Sequence, residues 1–270
     1  MSKIFIIVAS VIIIAVIIII VVMVLNNKSK KTNKSKESLR FNGYDVSPKM
    51  NIADWKIAQS KMTGMLKVFV DICNKHDINN WWVGCGTLIG VVRHKGWIPW
   101  DGDIDLSMME DDYERFKKIV QSELPSTMLF QSHETDKLYG SKGMPKIRDK
   151  HSCYKYPKSQ KRYYSNCHEG LQIDIFLYKE KENKVVPIIG EDGDIKTYDR
   201  KFVLPAKKMS FEGIDVNVPN QYSAYLKSSF GKEIPDLPPH EKRIPHEGGG
   251  NVDPENTCDF HYTSYPLIYK

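Results

Sequence analysis

The sequence predicts a mixed α/β domain behind one long apolar helix, and three observations carry that prediction. Segments with a helical period alternate with short apolar strands. Aspartates stand inside or beside two of those strands, at Asp103, Asp105 and Asp174. A stretch without charge, residues 4–25, stands near the N-terminus with Ser10 as its one polar residue.

That stretch is long enough to cross a hydrocarbon core of about 30 Å as a helix. A cleaved signal peptide would have a shorter apolar region and a small-residue cleavage site, so residues 4–25 are read as a transmembrane anchor and the chain as a single-pass membrane protein. Residues 26–44 read as a basic, solvated linker. Lys3, Lys28, Lys30, Lys31, Lys34, Lys36 and Arg40 outnumber Glu37 by six, which is the whole formal excess of +6. The positive charge therefore stands where it can meet anionic lipid, and the rest of the chain is formally neutral. A neutral domain lacks the electrostatic footprint of a nucleic-acid binder. The side of the membrane stays open: flanking lysines favour the cytosol, whereas Asn27-Lys28-Ser29 and Asn33-Lys34-Ser35 are glycosylation sequons.

Residues 45–270 form the predicted catalytic domain. Ile52, Trp55, Ala58, Met62, Met65, Leu66, Phe69 and Ile72 recur at helical spacing and predict an amphipathic helix ending near His76. Trp81, Trp82 and Val83 make a short strand, and residues 84–96 a turn into a helix stopped by Gly96. A strand follows over residues 104–108. Asp111 and Asp112 open a further helix that turns Tyr113, Phe116, Ile119 and Val120 to one side. Residues 171–178 make a strand in which Ile173 and Ile175 flank Asp174. Residues 154–164 read as a surface loop, and 235–254, with three consecutive glycines, as irregular.

On a strand, residues two apart share a face, so Asp103 and Asp105 project together while Ile104 points to the core. Carboxylates that close repel unless a cation lies between them, and a hard ion such as Mg²⁺ is satisfied by one or two carboxylates, water and phosphate oxygens. An Asp-x-Asp pair alone is more often a solvated strand edge. A glycine-rich turn upstream and a third carboxylate, Asp174, inside an apolar strand change that balance toward metal-assisted phosphoryl chemistry.

From Gly86-Thr87-Leu88 through Arg93-His94-Lys95-Gly96 to Pro99-Trp100-Asp101, Asp103 and Asp105, the chain resembles the LicD/fukutin-related branch of the nucleotidyltransferase superfamily. The resemblance continues through Lys146-Ile147-Arg148-Asp149, Ile173-Asp174-Ile175-Phe176, Phe230-Gly231-Lys232, Pro238-Pro239 and Glu241-Lys242-Arg243, over roughly residues 78–246. Gly102 departs from it, since members often carry another acid there. The resemblance implies a nucleotidyltransferase-like fold and transfer of a phosphorylated alcohol, such as phosphocholine or a polyol phosphate, from a CDP-linked donor to a hydroxyl of a glycan or glycolipid.

In that chemistry positioning and charge neutralisation outweigh covalent help from the protein. Asp103 and Asp105 would hold Mg²⁺ (or Mn²⁺) on the donor diphosphate, with Asp101 in the outer shell and Asp174 as base or further ligand. Gly86 would let backbone N–H groups approach a phosphate to which Thr87 donates; Arg93, Lys146 and Arg148 could neutralise it. The rival readings are nucleotidyl transfer from an NTP and a scaffold that binds nucleotide or glycan without turnover. His94 reads as a surface histidine, and the tryptophans as core and site walls. Five cysteines without CxxC spacing imply no disulfide framework, and His151, Cys153, Cys167 and His168 match no common zinc module.

Overall fold

The computed structural model describes residues 39–136, 139, 143–156, 168–188 and 196–258, together with Ile19, Ile20, Val22 and Met23. The last four are helical and exposed, and the remainder of the predicted anchor and linker, residues 4–18, 21, 24, 25 and 26–38, lies outside the described residues. Among the described residues no helix is long and apolar enough to cross a membrane. The expectation of a single-pass membrane protein is corrected on that finding, and the account of function below uses no anchor.

The compact unit begins at Phe41. After the short strands β1 (Arg40–Phe41) and β2 (Tyr44–Asp45), helix α1 spans Ile52–Lys75. Its buried face is the predicted stripe, from Trp55 and Ala58 through Met62, Met65, Leu66 and Phe69 to Ile72, because 3.6 residues per turn bring these positions to one side. Asp54 in the first turn and Lys75 in the last complement the helix dipole.

The main sheet is seven-stranded and mixed. It contains β3 (Trp81–Val83), β4 (Ile104–Met109), β5 (Met128–Gln131), β6 (Lys146–Asp149), β8 (Gln172–Lys181), β9 (Lys184–Pro187) and β10 (Tyr198–Asp199). Strand β4 runs antiparallel to β3 and parallel to β8. A parallel pair needs a long crossover, and α2 (Glu110–Glu123), which follows β4 directly, begins it. Its apolar side carries Tyr113, Phe116 and Val120; Phe116 packs edge-on against Phe69 of α1. Ile104, Leu106, Ile173 and Ile175 are fully buried at the centre.

Two further strand pairs lie outside that sheet. Strands β11 (Lys207–Phe211) and β12 (Ile214–Val218) form a hairpin. The short β13 (Val252–Asp253) pairs with β7 (Cys153–Tyr154), and a disulfide joins Cys153 to Cys258. Residues 235–254, read as irregular, thus contain a short strand, a 3-10 turn at His240–Lys242 and a kinked turn at Glu247–Gly250 in which Gly248 and Gly249 are left-handed. The disulfide is a pairing that cysteine count and spacing do not reveal, since a separation of 105 residues leaves no spacing signature.

Candidate active site

The carboxylates meet because β4 and β8 run in parallel register. Asp105 stands beside Asp174 across the pair, as Ile104 does beside Ile173. One ligand oxygen each from Asp103, Asp105 and Asp174 lies within 4.8 Å of the others. Unit charges at that spacing repel by about 3 kcal/mol per pair at an effective dielectric near 20. Burial pushes the carboxyls of Asp103 and Asp105 well above the ordinary range, and neighbouring acids add to it: Glu247 and Asp174 for Asp103, Asp103 and Asp101 for Asp105. All three donors are hard oxygens, the set that suits Mg²⁺ or Mn²⁺.

Several contacts hold the three in place. The Asp105 N–H donates to the hydroxyl oxygen of buried Thr87 at 2.9 Å. Gln172, two residues before Asp174 on β8, donates its amide N–H groups to Asp103 Oδ2 at 3.2 Å and Asp174 Oδ2 at 3.3 Å. Lys146, beside Asp174 across β6 and β8, donates to its Oδ1 at 2.5 Å. Both partners of that ion pair are buried.

A short helix, Cys85–Ile89, leads into a π-helical turn, Gly90–His94. The Asp101 carboxylate lies against Gly86, where an added Cβ would stand 2.7 Å from Asp101 Oδ2. A side chain there would expel that carboxylate. Burial first, then Asp103, holds the Asp101 carboxyl well above its ordinary value.

A fifth acid, Glu247, comes from the C-terminal segment. Its Oε2 would lie 2.1 Å from a Cβ at position 102, so Gly102 leaves the space that Glu247 enters. Burial and Asp101 push its carboxyl up to about 7. Tyr154 donates its hydroxyl to the Gly102 carbonyl at 2.6 Å. Gln172, Tyr154 and Glu247 were not singled out from the sequence; the glycine at position 102 was a signal for the last, since a missing side chain invites a substitute from elsewhere.

Other predicted site residues take different positions. Arg148 is buried, and its guanidinium donates to Gln131 Oε1 and the Gly170 carbonyl, both at 2.8 Å. Arg93 donates to the Pro235 carbonyl at 3.2 Å. His94 is half-buried rather than a surface residue, with its ring 4.8 Å from Tyr44 and 6.3 Å from Trp100. Burial, then the Arg93 charge, lowers its pKa to about 4, so the imidazole is neutral at neutral pH. Trp81, Trp82 and Trp97 are core residues. Of His151, Cys153, Cys167 and His168, Cys153 is disulfide-bonded and so withdrawn as a metal ligand, and Cys167 lies outside the described residues.

Asp105 and Asp174 thus stand side by side on neighbouring parallel strands, and a short helix led by Gly84 precedes the first of them. The chain belongs to the LicD/FKTN/FKRP family, whose nucleotidyltransferase domain matches residues 78–221, more than half its length. It is 31% identical over 176 residues to the lipopolysaccharide cholinephosphotransferase LicD of Haemophilus influenzae, covering 63% of this chain and 62% of that protein. An uncharacterized protein of Rickettsia typhi is 24% identical over 61% of this chain and 45% of its own length. One from Rickettsia prowazekii is 24% identical over 66% and 58%. The chain thus spans less than two thirds of each of these relatives.

Proposed function

We propose that this chain transfers a phosphorylated alcohol, phosphocholine or a polyol phosphate, from a CDP-linked donor to a hydroxyl of a glycan or glycoconjugate. The observation that carries the reading is the convergence of Asp103, Asp105 and Asp174 within 4.8 Å, in a member of a family with a cholinephosphotransferase among its relatives.

Asp103 and Asp105 would hold Mg²⁺ or Mn²⁺, with Asp101 in the outer shell. A bound ion would neutralise charge on the donor diphosphate and polarise the phosphorus under attack. Asp174 takes the acceptor proton or completes the ligand set; Gln172 keeps it beside Asp103. Lys146 and Arg93 are the cations nearest in role to a phosphate clamp. Arg148, tied to Gln131 and Gly170, acts by bracing β6. Thr87 contributes by fixing the Asp105 backbone, and Gly86 by admitting Asp101.

The test is incubation of the full chain with Mg²⁺, a panel of CDP-alcohols and glycan acceptors, scoring CMP release. Release that disappears in Asp103→Ala and Asp174→Ala supports the reading. Metal-dependent turnover of an NTP, with every CDP-alcohol inert, would replace it with nucleotidyl transfer.

A further inference from the structure

Lys146 is paired with Asp174 in this structure, so the phosphate role proposed for it requires that ion pair to open. Its ammonium is 2.5 Å from Asp174 Oδ1, on one of the three carboxylates that bring an oxygen each within 4.8 Å of one another. It is 8% exposed, and its charge also acts on Asp103 and Glu247, opposing in part the burial that raises both carboxyls. A monovalent cation therefore already neutralises part of the acid cluster. Lys146 and a divalent ion on the same Asp174 carboxylate would stand as two cations side by side, and like charges that close repel.

Gln172 behaves differently. Its amide is neutral and donates to Oδ2 of both Asp103 and Asp174, so it can hold the two carboxylates in place whichever cation they face. Lys146 ends a four-carbon stem with rotatable bonds and can withdraw its head while its backbone stays paired in β6.

We propose that Lys146 is a resident counter-cation that a divalent metal displaces from Asp174, and that the released ammonium then becomes a ligand of the donor's phosphates. The exchange rests on the functional reading above and adds an order to it: metal first, donor second. Lys146 thereby couples the two binding events, because the donor gains its ammonium only after the metal has taken Asp174.

The competition has a sign that a bracing role lacks. Calorimetric titration of the full chain with Mn²⁺ and Mg²⁺, with no donor present, compares wild type, Lys146→Met and Lys146→Arg. Removing the competitor tightens metal binding at least threefold in Lys146→Met. Lys146→Arg keeps the charge and grips the carboxylate with a planar fork, so it binds metal no tighter than wild type. In a second titration, CDP added to the metal-saturated protein binds at least threefold more weakly to Lys146→Met than to wild type. Should Lys146→Met fold poorly without metal, its thermal midpoint rises more on metal addition than that of wild type, which reads the same competition.

Metal binding that is unchanged or weaker in Lys146→Met, beside normal wild-type binding, overturns the exchange and leaves the transferase reading standing. Metal binding by neither protein overturns both.

Discussion

Loss of the Cys153–Cys258 disulfide should weaken this fold by an amount that can be worked from its position. The bond closes a loop of 105 residues, and the chain-entropy relation assigns a loop of that size about 4.7 kcal/mol at 25 °C. A chain of this length loses about 2–4 °C of thermal midpoint per kcal/mol, so the entropic limit is a fall of about 9 to 19 °C. Residual structure in the reduced unfolded chain makes that an upper bound. What the bond secures is the segment after Ile244. There β13 pairs with β7, the Asn251 carbonyl accepts from Lys155 N–H at 3.0 Å, and the Gly250 carbonyl accepts from the Trp55 indole at 3.0 Å. The same segment delivers Glu247 to Gly102. Differential scanning fluorimetry of the full chain, with and without reductant, should show a midpoint drop of about 10 °C. A Cys153→Ser/Cys258→Ser double variant should melt at the reduced value in both conditions. A drop below about 2 °C, against a limit several times larger, would refute the claim that this bond holds the segment.

Three more outcomes follow from the site. Gly86→Ala places a Cβ 2.7 Å from Asp101 Oδ2; kcat/KM for CMP release should fall about 10- to 100-fold with little change in midpoint, and full activity would remove Asp101 from the site. Arg148→Met deletes two buried hydrogen bonds to Gln131 and Gly170, which should cost about 3 kcal/mol or more in denaturant unfolding. A raised KM for donor at unchanged stability would instead give Arg148 to the phosphate. Glu247, held up at about 7 by burial and Asp101, binds more protons folded than unfolded. Its contribution in chelator-treated protein is therefore lost as pH rises from the ordinary carboxylate range toward 7. Glu247→Gln should gain midpoint relative to wild type across that window, and a difference that stays constant with pH would contradict the assignment.

Some of this architecture was legible because local periodicity carries it. The α1 stripe from Trp55 to Ile72 reads directly off spacing, and so does the side of α2 with Tyr113, Phe116 and Val120, since helical geometry alone decides which residues share a face. The alternation around Asp103, Asp105 and Asp174 marks aspartates on the opposite side from buried isoleucines. What it does not contain is the partner: the register that sets Asp105 beside Asp174, or Lys146 on the other flank, follows from long-range strand pairing. Glu247 and Cys258 belong to the same class, brought to the site and to Cys153 by a segment with no period of its own. Arg148 and Thr87 show a different limit. Their residue types suit a phosphate site, yet the tertiary fold has set them to support Gln131 and Gly170 and the Asp105 backbone. His94 reads as a surface residue because the residues that half-bury it, Tyr44 and Trp100, come from segments on either side of its helix.

The account turns on which part of the donor reaches the acceptor, and mass spectrometry of the glycan after incubation with a CDP-alcohol and Mg²⁺ measures that directly. The account predicts an acceptor heavier by the phosphorylated alcohol, with CMP as the other product and no mass change with Asp103→Ala or Asp174→Ala. An acceptor carrying a cytidine nucleotide, or one modified equally well by both variants, would contradict it.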